Sequence, residues 1–239
     1  MRTIITTVGT SLLQNAKRDL GLETLRPDQL DTYLRQTDPV KGSAETNSLS
    51  RMLAEGDKII FLHSDTDEGR ICAEALDRFY EKEGFRSELV KVLHLTYAEK
   101  QFKMRGLRSL VGTIVELVER EKGAGNEVAI NATGGFKAEI AYATLIGLLY
   151  DIPVYYIHDA FKEIIDLPPA PIEWDLSLLD AHHNFFQWID SDYRPTREVD
   201  HRLRGLPPEV RLLLTEEEGD TFLSPVGEVV YRAWEYRKS

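Results

Sequence analysis

The sequence predicts an α/β fold: a doubly wound, mostly parallel sheet followed by a small helical or winged-helix-like appendage. Three observations carry this. Short apolar, β-branched runs recur along the first two-thirds of the chain, segments with helical apolar spacing separate them, and glycine- and hydroxyl-rich loops follow two of the runs. Strictly alternating strands and helices close into a parallel sheet through right-handed crossovers.

The elements follow in order. Thr3-Ile4-Ile5-Thr6-Thr7-Val8 reads as the first strand, and a polar helical region runs from there through Tyr33. A loop around Asp38-Pro39-Val40-Lys41-Gly42 precedes a short helix that opens at Ser43 and ends at Gly56. Asp57 to His63 is the second strand, and Asp67-Glu68 start a helix that Gly84 closes. Glu88 to Leu93 is the third strand; a long helix is expected from about Tyr97 to Lys122, stopped by Gly123-Ala124-Gly125. Glu127 to Ile130 is the fourth strand, Ala138 to Leu149 a helix, and Pro153 to Ile157 and Glu163 to Leu167 are strands five and six. Pro168-Pro169-Ala170-Pro171 marks a boundary, which divides the chain into residues 1–170 and 171–239. Beyond it, Leu176 to Ile189 reads as one amphipathic helix and Pro207 to Leu214 as a short one. Thr221 to Leu223, then Ser224-Pro225-Val226-Gly227 and a last helix, look like the end of a winged-helix unit.

At 239 residues the chain can bury a substantial core. Its net charge of -11 and pI near 5.1 argue against non-specific coating of duplex DNA, which needs a broad basic surface. They leave room for a small anion in a local positive pocket. Cys72, the single cysteine, sits in a helical stretch and reads as a small core hydrophobe, so neither a disulfide nor a cysteine zinc site is expected. His182 and His183 are adjacent on a helix and point to different faces, so no metal is expected. The chain opens directly on a strand and has no apolar run of membrane-spanning length, which points to a cytoplasmic protein with no membrane partner.

Chemistry concentrates in two strand-to-helix loops, Val8-Gly9-Thr10-Ser11-Leu12-Leu13-Gln14-Asn15 and Asn131-Ala132-Thr133-Gly134-Gly135-Phe136-Lys137. Taken singly, the first reads as a tight turn with a hydroxyl helix cap and the second as a glycine turn. Lys137 in a first helical turn is repelled by the positive helix end, an objection that a bound anion removes. In an open parallel sheet both loops lie at the carboxyl ends of strands, where ligands bind. Their backbone N–H groups and hydroxyls suit a phosphate-bearing ligand. A Walker loop and a Gly-x-Gly-x-x-Gly fingerprint are both absent, which disfavours ATP hydrolysis and dinucleotide binding.

These loops belong to a longer pattern. Thr6-Thr7-Val8-Gly9-Thr10-Ser11-Leu12-Leu13 with Asn15, then Ala44-Glu45-Thr46-Asn47-Ser48-Leu49, His63-Ser64-Asp65-Thr66 and Asn131-Ala132-Thr133-Gly134-Gly135-Phe136-Lys137-Ala138-Glu139 resemble, in that order, the CARF domains of type III CRISPR systems. The resemblance covers roughly residues 1 to 168 and implies a Rossmann-like fold, a two-fold homodimer and a cyclic oligoadenylate held across the dimer axis, cyclic tetra-adenylate foremost. A ring of repeated adenylates and an isologous dimer share the same symmetry. Gly9, Thr10, Ser11, Thr133, Gly134 and Gly135 are then expected at phosphates, with Glu45, Asn47, Ser64 and Asp65 at adenine or ribose edges and Asn15 and Thr10 supporting the loop. His63 is expected to pack at its strand end.

A stand-alone CARF domain with a small tail resembles the ring nucleases, which switch off type III CRISPR signalling. In that chemistry, metal- and cofactor-free, a ribose 2′-OH attacks the neighbouring phosphate and leaves linear di-adenylate with 2′,3′-cyclic phosphate ends. The resemblance gives Ser11 the orienting role and Lys137 the developing charge. No strong general base is visible, so slow turnover is expected, with positioning supplying several kcal/mol. The alternative is a non-catalytic sensor, either a transcription regulator or the sensory part of a CRISPR effector ribonuclease. The Arg-x4–6-His motif of HEPN ribonucleases is matched loosely by Arg194 to His201, but Pro195 follows the arginine, and a solvated loop is the expectation there.

Overall fold

The protein is described from a computed structural model that covers residues 1–158 and 163–238. Its elements are β1 (Arg2–Val8), α1 (Ser11–Leu20), α2 (Pro27–Gln36), α3 (Pro39–Gly42), α4 (Ala44–Met52), β2 (Lys58–Ser64), α5 (Asp67–Lys82) and β3 (Arg86–Val92). Next come α6 (Glu99–Gln101), a π-turn (Phe102–Gly106), α7 (Leu107–Gly123), β4 (Glu127–Asn131), α8 (Lys137–Tyr150), β5 (Val154–Tyr156) and β6 (Ile165–Leu167). The remainder holds α9 (Ser177–Ala181), α10 (His183–Asp190), β7 (Arg194–Pro195), α11 (Thr196–Leu203), a 3-10 turn (Pro208–Leu213), β8 (Leu214–Glu217), β9 (Asp220–Leu223) and α12 (Pro225–Lys238).

Six strands form one sheet in the order β3-β2-β1-β4-β5-β6. All neighbours are parallel except β6, which runs antiparallel to β5. This is a Rossmann-like sheet, and its strand order reverses between β1 and β4. β1 pairs with β2 on one side (Val8 opposite His63) and with β4 on the other (Thr6 opposite Asn131). The loops that leave β1 and β4 are therefore neighbours.

Period-two alternation sends successive β1 residues to opposite faces. Ile4, with Ile59 and Phe61 of β2, packs against α1, α2 and α5. Ile5, with Ile60, Leu62 and Ile130, packs against α7 and α8. Residues buried on both faces give these strands their near-continuous apolar runs. Cys72 lies on α5 inside the first cluster; burial pushes its thiol up to about 12, so it is an inert packing residue.

The last segment builds a third cluster around Phe186, Ile189, Val210, Leu223 and Tyr231, beside a three-stranded antiparallel sheet in the order β7-β9-β8. Helix α12 joins it to the sheet layer: Tyr231 belongs to this cluster, whereas Val229 and Ala233 belong to the α7–α8 core. Arg108 of α7 binds Glu228 of α12 at 2.8 Å and Asp190 of α10 at 3.6 Å, so ion pairs also cross this seam, and Arg232 of α12 holds the same two carboxylates at 3.0 and 2.7 Å.

Four local expectations are revised. The Asp38 region forms one helical turn, because the Asp38 carboxylate accepts the Val40 N–H at 3.0 Å and Pro39 occupies the first helical position. The 97–122 helix is interrupted by the π-turn, where Gly106 passes so close to His94 that a Cβ would lie 2.7 Å from the His94 carbonyl oxygen. The 176–189 helix breaks at His182, whose φ of -125° and ψ of 28° are not helical. Arg194 and His201 lie on β7 and α11 rather than on a loop, and the Arg194 guanidinium donates to the Trp188 carbonyl oxygen at 3.1 Å.

Candidate functional site

At the reversal point the two glycine loops touch. A Cβ on Gly9 would lie 2.7 Å from the Gly135 nitrogen, and one on Gly134 would lie 2.5 Å from the Thr7 carbonyl oxygen and 2.1 Å from Glu45 Oε1. Only glycine lets these backbones approach so closely. The Thr7 hydroxyl donates to the Gly134 carbonyl oxygen at 2.6 Å and so fastens the end of β1 to the second loop.

Beneath both loops lies a carboxylate. Glu45, in the first turn of α4, is 0% exposed. Its Oε1 accepts the Gly9 N–H at 2.8 Å, and its Oε2 accepts the Ser11 hydroxyl at 3.3 Å. Ser11 Oγ in turn accepts the Ala44 N–H at 2.9 Å. Glu45 thus has no surface left to offer a ligand, and it acts from below. Ser43 caps its helix by accepting the Thr46 N–H at 3.0 Å, which fixes where Glu45 points.

A second buried carboxylate sits under Gly135. Glu139 accepts the Phe136 N–H at 2.9 Å as the third residue of α8, reaching back as a capping box requires. Burial pushes its carboxyl up to about 8, against the Phe136 hydrogen bond and with the help of the nearby Glu45 charge. Glu139 stands in the sequence motif but carries no expected site role; a glutamate at that spacing reads as a helix cap, and nothing in the sequence reveals its burial.

The other expected residues divide into two groups. Ser11, Asn15 and Asn47 line a polar groove of about 490 Å³ together with Lys41 and Arg18. There Asn15 Nδ2 donates to the Gly42 carbonyl oxygen at 3.2 Å, and Asn47 Oδ1 accepts from Arg51 at 3.1 Å. Thr10 lies beside them and accepts from Gln14 at 3.0 Å. Lys137, first residue of α8, is exposed and forms no ion pair with any described residue. Thr133 donates to Asn131 Oδ1 at 2.7 Å and accepts the Ile157 N–H at 3.2 Å, so its hydroxyl braces its own loop.

The end of β2 is occupied by local structure. Ser64 and Thr66 share a hydroxyl hydrogen bond of 2.8 Å, with Thr66 capping α5 through the Gly69 N–H. Asp65 pairs with Lys91 at 3.2 Å and accepts the His94 N–H at 3.3 Å; desolvation opposes these contacts, yet they hold its carboxyl below the ordinary range. His63 is buried, with Nδ1 2.9 Å from the Ser64 carbonyl oxygen. No cluster of three or more His, Cys, Asp or Glu among the described residues is placed to hold a metal ion, and no described helix is long and apolar enough to cross a membrane.

The fold is a Rossmann-like α/β sheet whose glycine loops meet at its reversal point, the place where open α/β sheets bind ligands. The model of a family of CRISPR-associated proteins, Cas_APE2256, matches residues 40–170, more than half of the 239, and the chain belongs to that family. Among solved structures, protein VC1899 from Vibrio cholerae is similar over 98% of this chain and 65% of its own, at 13% identity and a TM-score of 0.39. Can2 from Sulfobacillus thermosulfidooxidans, in complex with cyclic tetra-adenylate, is similar over 99% of this chain and 66% of its own, at 13% identity and a TM-score of 0.36. The chain spans about two-thirds of the length of either.

Proposed function

We propose that this chain is a cytoplasmic ring nuclease of type III CRISPR signalling. A homodimer binds cyclic tetra-adenylate across its axis and cleaves it, without metal, to linear di-adenylate with 2′,3′-cyclic phosphate ends. Residues 1–170 are the CARF domain in this reading, and residues 171–239 are an appendage docked on it through α12. The CRISPR-associated family and the ordered motifs support the ligand class.

One observation carries the catalytic half: a hydroxyl on a polar groove and an unpaired ammonium stand on two loops that meet at the reversal point. Ser11 receives a ribose hydroxyl or phosphate oxygen, while Lys137 and the amides around Gly134 and Gly135 stabilise charge on the phosphoryl oxygens. Thr10, Asn15 and Asn47 line or support the groove. The gain comes from holding the 2′-oxygen in line with the P–O5′ bond.

The test is incubation of pure protein with labelled cyclic tetra-adenylate in a chelator. Linear di-adenylate is the expected product. Tight binding with the ring intact would overturn cleavage and leave a sensor, and absence of binding would overturn both. A duplex DNA shift strengthened by the ring would identify a transcription regulator instead.

A further inference from the structure

We infer that Glu45 is the positioning residue behind Ser11: it fixes the Ser11 hydroxyl as an acceptor towards the ligand and takes up the proton that Ser11 relays. The inference rests on the ring-nuclease reading and supplies the base which the sequence lacks.

The hydrogen bonds already made by Ser11 fix what it can offer. A serine hydroxyl has one hydrogen and two lone pairs. One lone pair of Ser11 accepts the Ala44 N–H at 2.9 Å, and the hydrogen is directed to Glu45 Oε2 at 3.3 Å, because a carboxylate there can only accept. What remains on the groove side is one lone pair. Ser11 therefore faces a ligand as an acceptor, suited to a ribose 2′-OH and unsuited to an anionic phosphate oxygen. Glu45 is held in register by a second bond, the Gly9 N–H at 2.8 Å, and has no exposed surface through which water could compete. Thr10 and Thr133 differ in that no charged side chain holds their hydroxyls: Thr10 accepts from Gln14, and Thr133 donates to Asn131 and accepts the Ile157 N–H.

In the step this implies, the 2′-oxygen forms a bond to phosphorus and the P–O5′ bond breaks. The 2′-proton passes to Ser11 Oγ as the Ser11 hydrogen passes to Glu45 Oε2, and the departing 5′-oxygen takes a proton from water. Glu45 then returns its proton to solvent through Ser11, so nothing is oxidised and the protons balance. The other ionisable groups that feel Glu45 are Glu139 from α8 and Cys72 and Tyr80 from α5. Burial raises all three, the thiol to about 12, the phenol beyond its ordinary range and the Glu139 carboxyl to about 8, so Glu139 is the group whose own titration the experiment has to separate from the relay.

Single-turnover cleavage of cyclic tetra-adenylate as a function of pH, with the dissociation constant measured in parallel, tests this. Glu45→Gln keeps the Gly9 hydrogen bond but turns a donor towards Ser11. It is expected to slow cleavage by about 10²-fold or more, to leave binding within about threefold, and to abolish the rise of rate with pH expected of the wild type. Ser11→Ala must lose the same limb, and adding Glu45→Gln to it must slow cleavage no further, since Glu45 acts through Ser11. Should Glu45→Gln fail to fold, the Ser11→Ala profile alone decides. A limb that survives either substitution, or that disappears in Glu139→Gln instead, overturns the relay. A wild type that binds the ring without cutting it overturns the ring-nuclease reading itself.

Discussion

At the amino edge of the sheet Glu121 is nearly as buried as Glu139 is at the carboxyl edge, yet the two carboxyls are displaced in opposite directions. Burial pushes Glu121 up as well, but Lys58 at 2.9 Å, the Thr3 hydroxyl at 2.9 Å, Asn126 at 2.8 Å and Arg120 at 2.9 Å outweigh it and bring the group down to about 2. Lys58 and Arg120 also share Glu88, at 2.9 and 2.8 Å. At the carboxyl edge, Glu45 and Glu139 lie beneath two loops with no ion pair to a described cation, while Lys137 stands unpaired above. A groove of about 850 Å³ opens at the amino edge, larger than the one beside Ser11, so cavity size does not separate the two ends. Charge pairing does. The amino edge spends its charges on each other and so on stability, whereas the two loops of the carboxyl edge keep Lys137, Glu45 and Glu139 out of ion pairs with described residues, as functional sites do.

The sharpest way to break this contrast is Lys137→Ala. The side chain is exposed and unpaired, so the melting midpoint should correspond to a change within about 0.5 kcal/mol. Single-turnover cleavage of cyclic tetra-adenylate should fall by about 10²- to 10³-fold. A variant that melts early but cuts normally would show that Lys137 serves the fold.

Glu121→Ala is the converse. It strips Lys58 and Arg120 of a shared, buried partner and leaves the Thr3 hydroxyl unsatisfied, at a cost of about 2–3 kcal/mol in denaturant unfolding. Binding of the ring should stay within about twofold. A large loss of affinity with unchanged stability would reverse the assignment of the two edges.

Much of this contrast is legible in the sequence, and the illegible part has a definite cause. Runs such as Thr3–Val8 and Asp57–His63 declare strands of a mostly parallel sheet, and Gly9, Gly134 and Gly135 declare tight turns at strand ends. Strand alternation then forces both loops to one edge. Glu45, in contrast, is placed by the resemblance at adenine or ribose edges, and nothing in the sequence shows that it is buried. Only the packing of α4 under both loops shows that it is fully buried. The π-turn at Phe102–Gly106 is equally hidden, because the apolar spacing from Tyr97 to Lys122 stays helical on either side of it.

The two edges also predict opposite pH limbs in stability. Glu121 has a folded value of about 2, below its ordinary 4.5, so its contribution is complete above about 4.5 and is lost as pH falls towards 2. Glu139 has a folded value of about 8, above 4.5, so its contribution is complete below 4.5 and is lost as pH rises through 8. Inside either window each pH unit changes unfolding free energy by up to about 1.4 kcal/mol. Unfolding midpoints followed from pH 2 to 9 should therefore fall at both ends. Glu139→Gln should flatten the alkaline limb only; a limb unchanged by that substitution would place the proton elsewhere.

The smallest effect bears on where the carboxyl edge ends. Asp65 follows β2 and shares the rim with the two loops, but its carboxylate holds Lys91 and the His94 N–H, and with them the backbone leaving β3, where His94 has a φ of 62°. The pair is half exposed on the Lys91 side, so solvent screens it, and Asp65→Ala should cost about 0.2–1 kcal/mol. Affinity for the ring should stay within about twofold, as expected of a brace. A tenfold weaker complex at unchanged stability would extend the site across β2 and give Asp65 a ligand contact. Either result is informative about the loops, because Ser64 and Thr66 hold each other in the same turn and would move with it.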